Sequence, residues 1–167
     1  MPSLYDTTIP VFIRGLTSLS TMLDKAREWA GDAGVAEAAL TDARLIADMH
    51  PLVYQVQRAS DTAKGTAVRV GQVENAVFAD EEATIDDLKA RIAKTIAFLE
   101  AVPREAIDGR EEARVVLTLP NREMEFTGTS YATGFALPNF FFHVSMAYAL
   151  LRMKGVPLGK RDFLGAG

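Results

Sequence analysis

Apolar residues recur every three or four positions in four separate stretches of the chain, the spacing that places them along one face of an α-helix. The clearest stretch runs from Ile85 to Leu99, and it follows a Thr84 and Asp87 pair that is typical of a helix-capping box. Four amphipathic helices bury their apolar faces best against one another. The pattern therefore predicts a mainly α-helical protein, an all-α four-helix bundle.

Proline, glycine and hydroxyl residues predict where these helices begin and end. Thr7 or Thr8 caps the first helix, with Pro10 in its first turn, and Pro51 and Pro138 open the second and fourth helices. The predicted limits are 7 or 8 to about 30, 51 to about 71, 85 to just before 103, and 138 to about 154.

The segments between the helices contain one predicted β-hairpin. Residues 115–119 and 123–127 are short runs of strand-forming residues on either side of Pro120, so they predict a hairpin between helices three and four. The looser pattern over 35–49 predicts a short helix with a loop, and residues 156–167 are predicted to be extended.

Composition limits the function classes. A length of 167 residues predicts one domain over 1–167, and a net charge of −4 argues against a nucleic-acid partner. The absence of cysteine excludes disulfides, thiolate catalysis and cysteine-based metal sites. No basic segment precedes an apolar run at the start, and the apolar helix predicted over 138–153 is too short to span a bilayer. We therefore expect a cytoplasmic protein without a membrane partner.

The two histidines, His50 and His143, are the natural candidates for chemistry. Asn139 and His143 are four residues apart and share one helix face, and His50 reaches the same point if helices two and four are neighbours. Two imidazoles and an amide oxygen are a weak set for a divalent metal such as zinc or nickel, unless Asp48 or Asp61 joins them. A neutral core histidine and a His50 that caps helix two are the structural alternatives.

Other polar and aromatic residues have weaker functional signals. Tyr54 lies one turn after His50 and could orient an imidazole. The strip of Asp61, Thr62 and Lys64 is expected to be a solvated helix face. The three consecutive phenylalanines at 140–142 surround a helix, so some of them are expected to face the hairpin or a partner subunit.

Several segments together resemble an uncharacterised bacterial family of unknown function. They are 4–6 (LYD), 48–52 (DMHPL), 61–65 (DTAKG), 137–143 (LPNFFFH) and 156–165 (VPLGKRDFLG), and they span nearly the whole chain. That family is similar to the DinB-like (DinB/YfiT) bundles, a superfamily of metalloenzymes. The resemblance implies three metal-binding histidines, one on helix two and a His-x-x-x-His pair on the last helix. Members of that superfamily include thiol-dependent transferases and isomerases.

The resemblance aligns His50 with the helix-two ligand and His143 with the second member of the pair, whereas Asn139 stands where the first histidine is expected. Two hypotheses follow. In the first, His50, Asn139 and His143 hold a metal in a transferase or hydrolase that acts on a small molecule or thiol, with Asp48, Tyr54 and Asp61 around the site. In the second, the chain is a non-enzymatic ligand-binding or structural bundle that has lost the metal and forms a homodimer through its phenylalanine-rich helix and hairpin.

Overall fold

The computed structural model describes residues 2–166, which form helices and one two-stranded antiparallel sheet. A π-helical turn at Ala132–Ala136 joins the sixth and seventh helices, so Gly128–Lys154 is one continuous helix. The elements are α1 Leu4–Ala33, α2 Ala38–Thr41, α3 Leu52–Gly71, α4 Ile85–Glu100, α5 Arg104–Ile107, β1 Arg114–Leu119, β2 Arg122–Thr127, α6 Gly128–Tyr131, α7 Leu137–Lys154 and α8 Lys160–Leu164.

The four long helices α1, α3, α4 and α7 pack as a bundle, which confirms the predicted fold class. Helix α3 packs against α7 and α4, and α1 closes the bundle against the same two helices. Its core is made of aliphatic side chains from all four helices, with close helix contact at the alanines of α3. The hairpin lies between the third and fourth long helices, as predicted, and pairs Val116 with Glu125 and Leu117 with Met124.

The first helix begins earlier and ends later than predicted. Ser3 and Asp6 form a reciprocal capping box, which starts α1 at Leu4 and leaves Pro10 inside the helix. Thr8, predicted as a cap, instead donates its hydroxyl to the carbonyl of Leu4. Gly34 ends the helix because its φ of 67° is left-handed, a conformation that glycine adopts without a steric penalty.

The fourth long helix does not begin at Pro138, which corrects the prediction. The chain is already helical from Gly128, and the π-helical turn precedes the proline. Because Pro138 has no N–H, it cannot complete the α-helical ladder, and a change in hydrogen bonding just before it lets the helix continue. By length and composition this helix is long and apolar enough to cross a bilayer, whereas the sequence predicts one that is too short; it packs against α1 and α3.

The C-terminal segment is helical at α8, whereas the sequence predicts an extended tail; Gly167 lies outside the described residues. Asp162 accepts from the N–H of Gly159 and forms an ion pair with Lys25, so α8 is capped and docked on α1. Over 35–49 the predicted short helix is present as α2. Helix α4 has the predicted Thr84 and Asp87 capping box.

Two of the three consecutive phenylalanines are packed within the chain itself. Phe140 is fully buried, with its ring edge-to-face on Phe12 at 5.0 Å between centres. Phe141 contacts Phe163 of α8. Phe142 is 54% exposed, so it is the member of this set that is free to face solvent or a partner subunit.

Candidate functional site

Helices α3 and α7 bring Asn139 and His143 to one side of α3, as the spacing predicts. The Nδ2 of Asn139 donates to Thr62 Oγ1 at 2.8 Å, and the Nδ1 of His143 lies 2.8 Å from Gln55 Oε1. Since the later residue on α7 meets the earlier residue on α3, the two helices run antiparallel. His50, just before α3, therefore lies at the same end as His143.

The hydrogen bonds around His143 determine its tautomer. Gln55 donates its Nε2 to the carbonyl of His50 at 3.1 Å, so its Oε1 is an acceptor and faces His143. The Nδ1 of His143 must then carry the proton. The lone pair of the imidazole is consequently at Nε2.

The same logic sets the side-chain amide of Asn139. Thr62 donates its hydroxyl to the carbonyl of Arg58 at 2.7 Å, so its Oγ1 can only accept from Asn139. The amide nitrogen of Asn139 is therefore held by Thr62, and its carbonyl oxygen is the atom that is left for another partner.

Tyr54 links the two histidines. The exposed His50 ring stacks on Tyr54 with 3.8 Å between ring centres and 18° between the planes. Tyr54 also contacts His143 edge-to-face, at 6.1 Å between ring centres. The Cζ of Arg58 lies 5.2 Å from the centre of the Tyr54 ring, which places a positive charge beside the site.

His143 is held in its neutral form. It is 8% exposed, and burial, together with the positive charge of Arg58 and the neighbouring His50, lowers its pKa to about 4. At neutral pH its Nε2 is thus a hydrogen-bond acceptor and only a weak base.

The residues present do not fit a resident zinc or nickel ion. Within residues 2–166, no three histidine or carboxylate side chains are placed to hold a metal. Asp48 is exposed on the loop before α3, and Asp61 pairs with Arg58 and Arg91 at 2.9 and 2.8 Å. Neither carboxylate is therefore available as a ligand for a divalent cation beside His143.

Sequence analysis missed the groups that hold this site in place. Gln55 and Thr62 are buried polar residues seven positions apart on α3, and that two-turn spacing was the available signal. The strip predicted to be solvated is in fact largely buried, because Thr62 and Lys64 are 8% and 7% exposed. The segment after α3 folds back over that face and covers it.

The largest missed feature is Arg91 of α4, which is 1% exposed. It donates to Ser60 and to the carbonyl of Ala79 and pairs with three carboxylates, those of Asp61, Asp80 and Glu82. Burial by itself lowers the pKa of an arginine, but these partners outweigh it and raise the pKa of Arg91. Its place on the apolar face of α4, three residues after Leu88, was the signal in the sequence.

Comparison with known proteins identifies the family. Residues 4–164 match the model of the family described as a domain of unknown function, DUF1993. The chain belongs to the DUF1993 family. A solved structure of a DinB family member protein from Shewanella denitrificans is 36% identical to this DUF1993 protein, with a TM-score of 0.90 over 98% of this chain and 93% of that one. The predicted resemblance to DinB-like bundles is thereby confirmed, and the comparison with curated proteins found no match.

His143 is expected to make the stability of this DUF1993 protein depend on pH. Its pKa is about 4 when folded and about 6.5 when unfolded, so only the unfolded chain binds a proton between these values. The free energy of unfolding is expected to fall by about 2 kcal/mol from pH 7 to pH 5. Urea denaturation at both pH values measures it, and His143→Gln should remove most of the difference; an equal pH dependence in both proteins would contradict the assignment.

Proposed function

We propose that this DUF1993 protein binds a small molecule at the α3–α7 site and does so without a resident metal. The ligand donates a hydrogen bond to Nε2 of His143 and contacts the neighbouring aromatic rings. This corresponds to the ligand-binding hypothesis from the sequence, and it assigns binding and no reaction.

The observation that carries the proposal is the oriented, neutral imidazole of His143. Its Nε2 has no hydrogen-bond partner within residues 2–166. Among the side-chain nitrogen and oxygen atoms of these residues, only Arg58 Nε is both fully buried and unpaired. The unpaired Nε2 of His143 is therefore not fully buried, and its lone pair is open to solvent. Phe142 lies 5.1 Å from His143 between ring centres and Tyr54 lies 6.1 Å away, so the acceptor has aromatic surface beside it.

Phenol and anisole form a matched pair of probes for this site, because both are aromatic but only phenol donates a hydrogen bond. Phenol is expected to shift the NMR resonances of the His143 and Tyr54 side chains in a saturable manner. Anisole should bind about tenfold more weakly, the factor that corresponds to one hydrogen bond. Equal shifts with both probes, or persistence of the phenol shifts at Tyr54 in His143→Phe, would contradict the proposal.

A metal-dependent transferase or hydrolase is the second candidate, and one observation favours it. In metal-binding histidines, the ring nitrogen that does not bind the metal usually donates its N–H to a fixed acceptor. The Nδ1 of His143 makes such a hydrogen bond to Gln55. A thiol or another small molecule would then be the substrate, as the resemblance implies.

Elemental analysis separates the two candidates. Protein purified without chelator or affinity tag is expected to contain well under one divalent ion per chain. Asn139→His is expected to strengthen Zn²⁺ or Ni²⁺ binding, because it creates two imidazoles one helical turn apart. About one ion per chain in the unaltered protein, lost in the His50→Ala/His143→Ala double variant, would reject the metal-free proposal and support the metalloenzyme.

Two further expectations remain proposals. We propose that the protein acts in the cytoplasm, as the sequence predicts, and that any homodimer forms around the exposed Phe142. Sedimentation of the unaltered protein and of Phe142→Ser at high concentration tests the second statement.

A further inference from the structure

A polar cleft lies along α3, and the proposed function does not use it. Its volume is about 330 Å³. Three cationic side chains and one carboxylate line it, those of Arg58, Lys64, Arg69 and Asp61, together with the amide of Asn75. Arg58 is paired with Asp61 and Asp80, so its charge is balanced within the protein.

Lys64 is a buried ammonium without a carboxylate partner. It is 7% exposed, donates to the carbonyl of Ala76, and lies 4.6 Å from the centre of the Phe78 ring. Within residues 2–166 it makes no ion pair, and an ammonium has three N–H donors. Burial lowers the pKa of Lys64, and the positive charges of Arg91 and Arg69 lower it further, against the carboxylates of Asp61 and Asp80. Desolvation is thus the largest influence on this ammonium, and an anion in direct contact would stabilise its charge.

Gly65 lets a second unpaired cation lie over the same cleft. A Cβ at this position would come within 2.3 Å of Nη1 of Arg69, so the guanidinium occupies the space that any other side chain would fill. That nitrogen donates to the hydroxyl of Tyr131 at 3.2 Å. Arg69, like Lys64, has no ion pair among the described residues, and its other N–H groups are available to a ligand.

We propose that this cleft binds the anionic group of a small molecule, a phosphoryl or carboxylate group, between Lys64 and Arg69. The oxygens of such a group would accept from the buried ammonium and from the guanidinium, which are charge-assisted bonds. Asn75 can donate its amide at the rim. The site does not depend on His143, so it stands or falls separately from the proposed function.

Calorimetric titration with inorganic phosphate and with acetate, at constant ionic strength in chloride, tests the proposal. At least one of the two anions is expected to bind saturably, and the tighter one shows whether the cleft favours a phosphoryl or a carboxylate group. Arg69→Gln is expected to weaken that binding about tenfold, the factor for one charge-assisted hydrogen bond. Gly65→Ala should also weaken it, because the new methyl group displaces the guanidinium.

Arg122→Gln is the matched control, since it removes the same charge from an exposed position on β2. It is expected to leave the affinity unchanged, and so is the His50→Ala/His143→Ala double variant. Arg69 is exposed, so its substitution tests the site even if variants of the buried Lys64 fail to fold. The absence of saturable binding, or an equal loss in Arg69→Gln and Arg122→Gln, would overturn the proposal.

Discussion

Replacing Arg91 by alanine is expected to lower the free energy of unfolding by about 3–5 kcal/mol. The guanidinium is 1% exposed and pairs with Asp61, Asp80 and Glu82. Its removal leaves the nearly buried Glu82 without its counter-charge, whereas Asp61 and Asp80 keep their ion pairs with Arg58, and it leaves hydrogen-bond acceptors unpaired. It also releases the segment that joins α3 to α4, since Arg91 donates to the carbonyl of Ala79.

Urea denaturation measures this loss. Arg122→Ala removes an exposed arginine and is expected to change stability by less than about 0.5 kcal/mol. Arg91→Lys keeps the charge but loses the planar guanidinium that donates to several acceptors at once, so its loss of stability should lie between those of the two alanine variants. A loss below about 1 kcal/mol for Arg91→Ala would show that these ion pairs do not hold the segment in place.

Phe140→Ala is expected to destabilise the protein by about 3–5 kcal/mol, the usual range for a large aromatic removed from a core. The ring is fully buried at the contact between α7 and α1, where it packs edge-to-face on Phe12. A Cβ at Gly15 would lie 2.5 Å from the ring, so α1 approaches it too closely for any larger residue. The cavity left by the ring is expected to collapse only in part, because other core residues of α1 and α7 hold both helices in place.

The neighbouring Phe142→Ala is the control for this prediction. It removes the same atoms from the same helix, but Phe142 is 54% exposed, so the expected loss is below about 1 kcal/mol. Thermal or urea denaturation of both variants makes the comparison. Similar losses in the two variants would place Phe140 outside the core and contradict the packing described here.

Much of the fold could be predicted because local rules agree with the tertiary packing. The capping box at Thr84 and the glycine that ends α7 act within a few residues, so the sequence alone indicates these helix ends. The predicted start of α1 is wrong because Ser3 and Asp6 form a capping box ahead of Thr7 and Thr8. The predicted start of the last long helix is wrong because a π-helical turn before Pro138 allows the helix to continue through the proline.

The sequence by itself determined the helical bundle, the hairpin and the closeness of Asn139 to His143, since helical periodicity places residues four apart on one face. Only the tertiary structure decided the chemistry of the candidate site. The Nδ1–H tautomer of His143 depends on Gln55. The burial of Lys64 and Arg91 depends on the segment that joins α3 to α4. Hydrogen-bond partners and desolvation come from residues distant in the chain, and no local pattern encodes them.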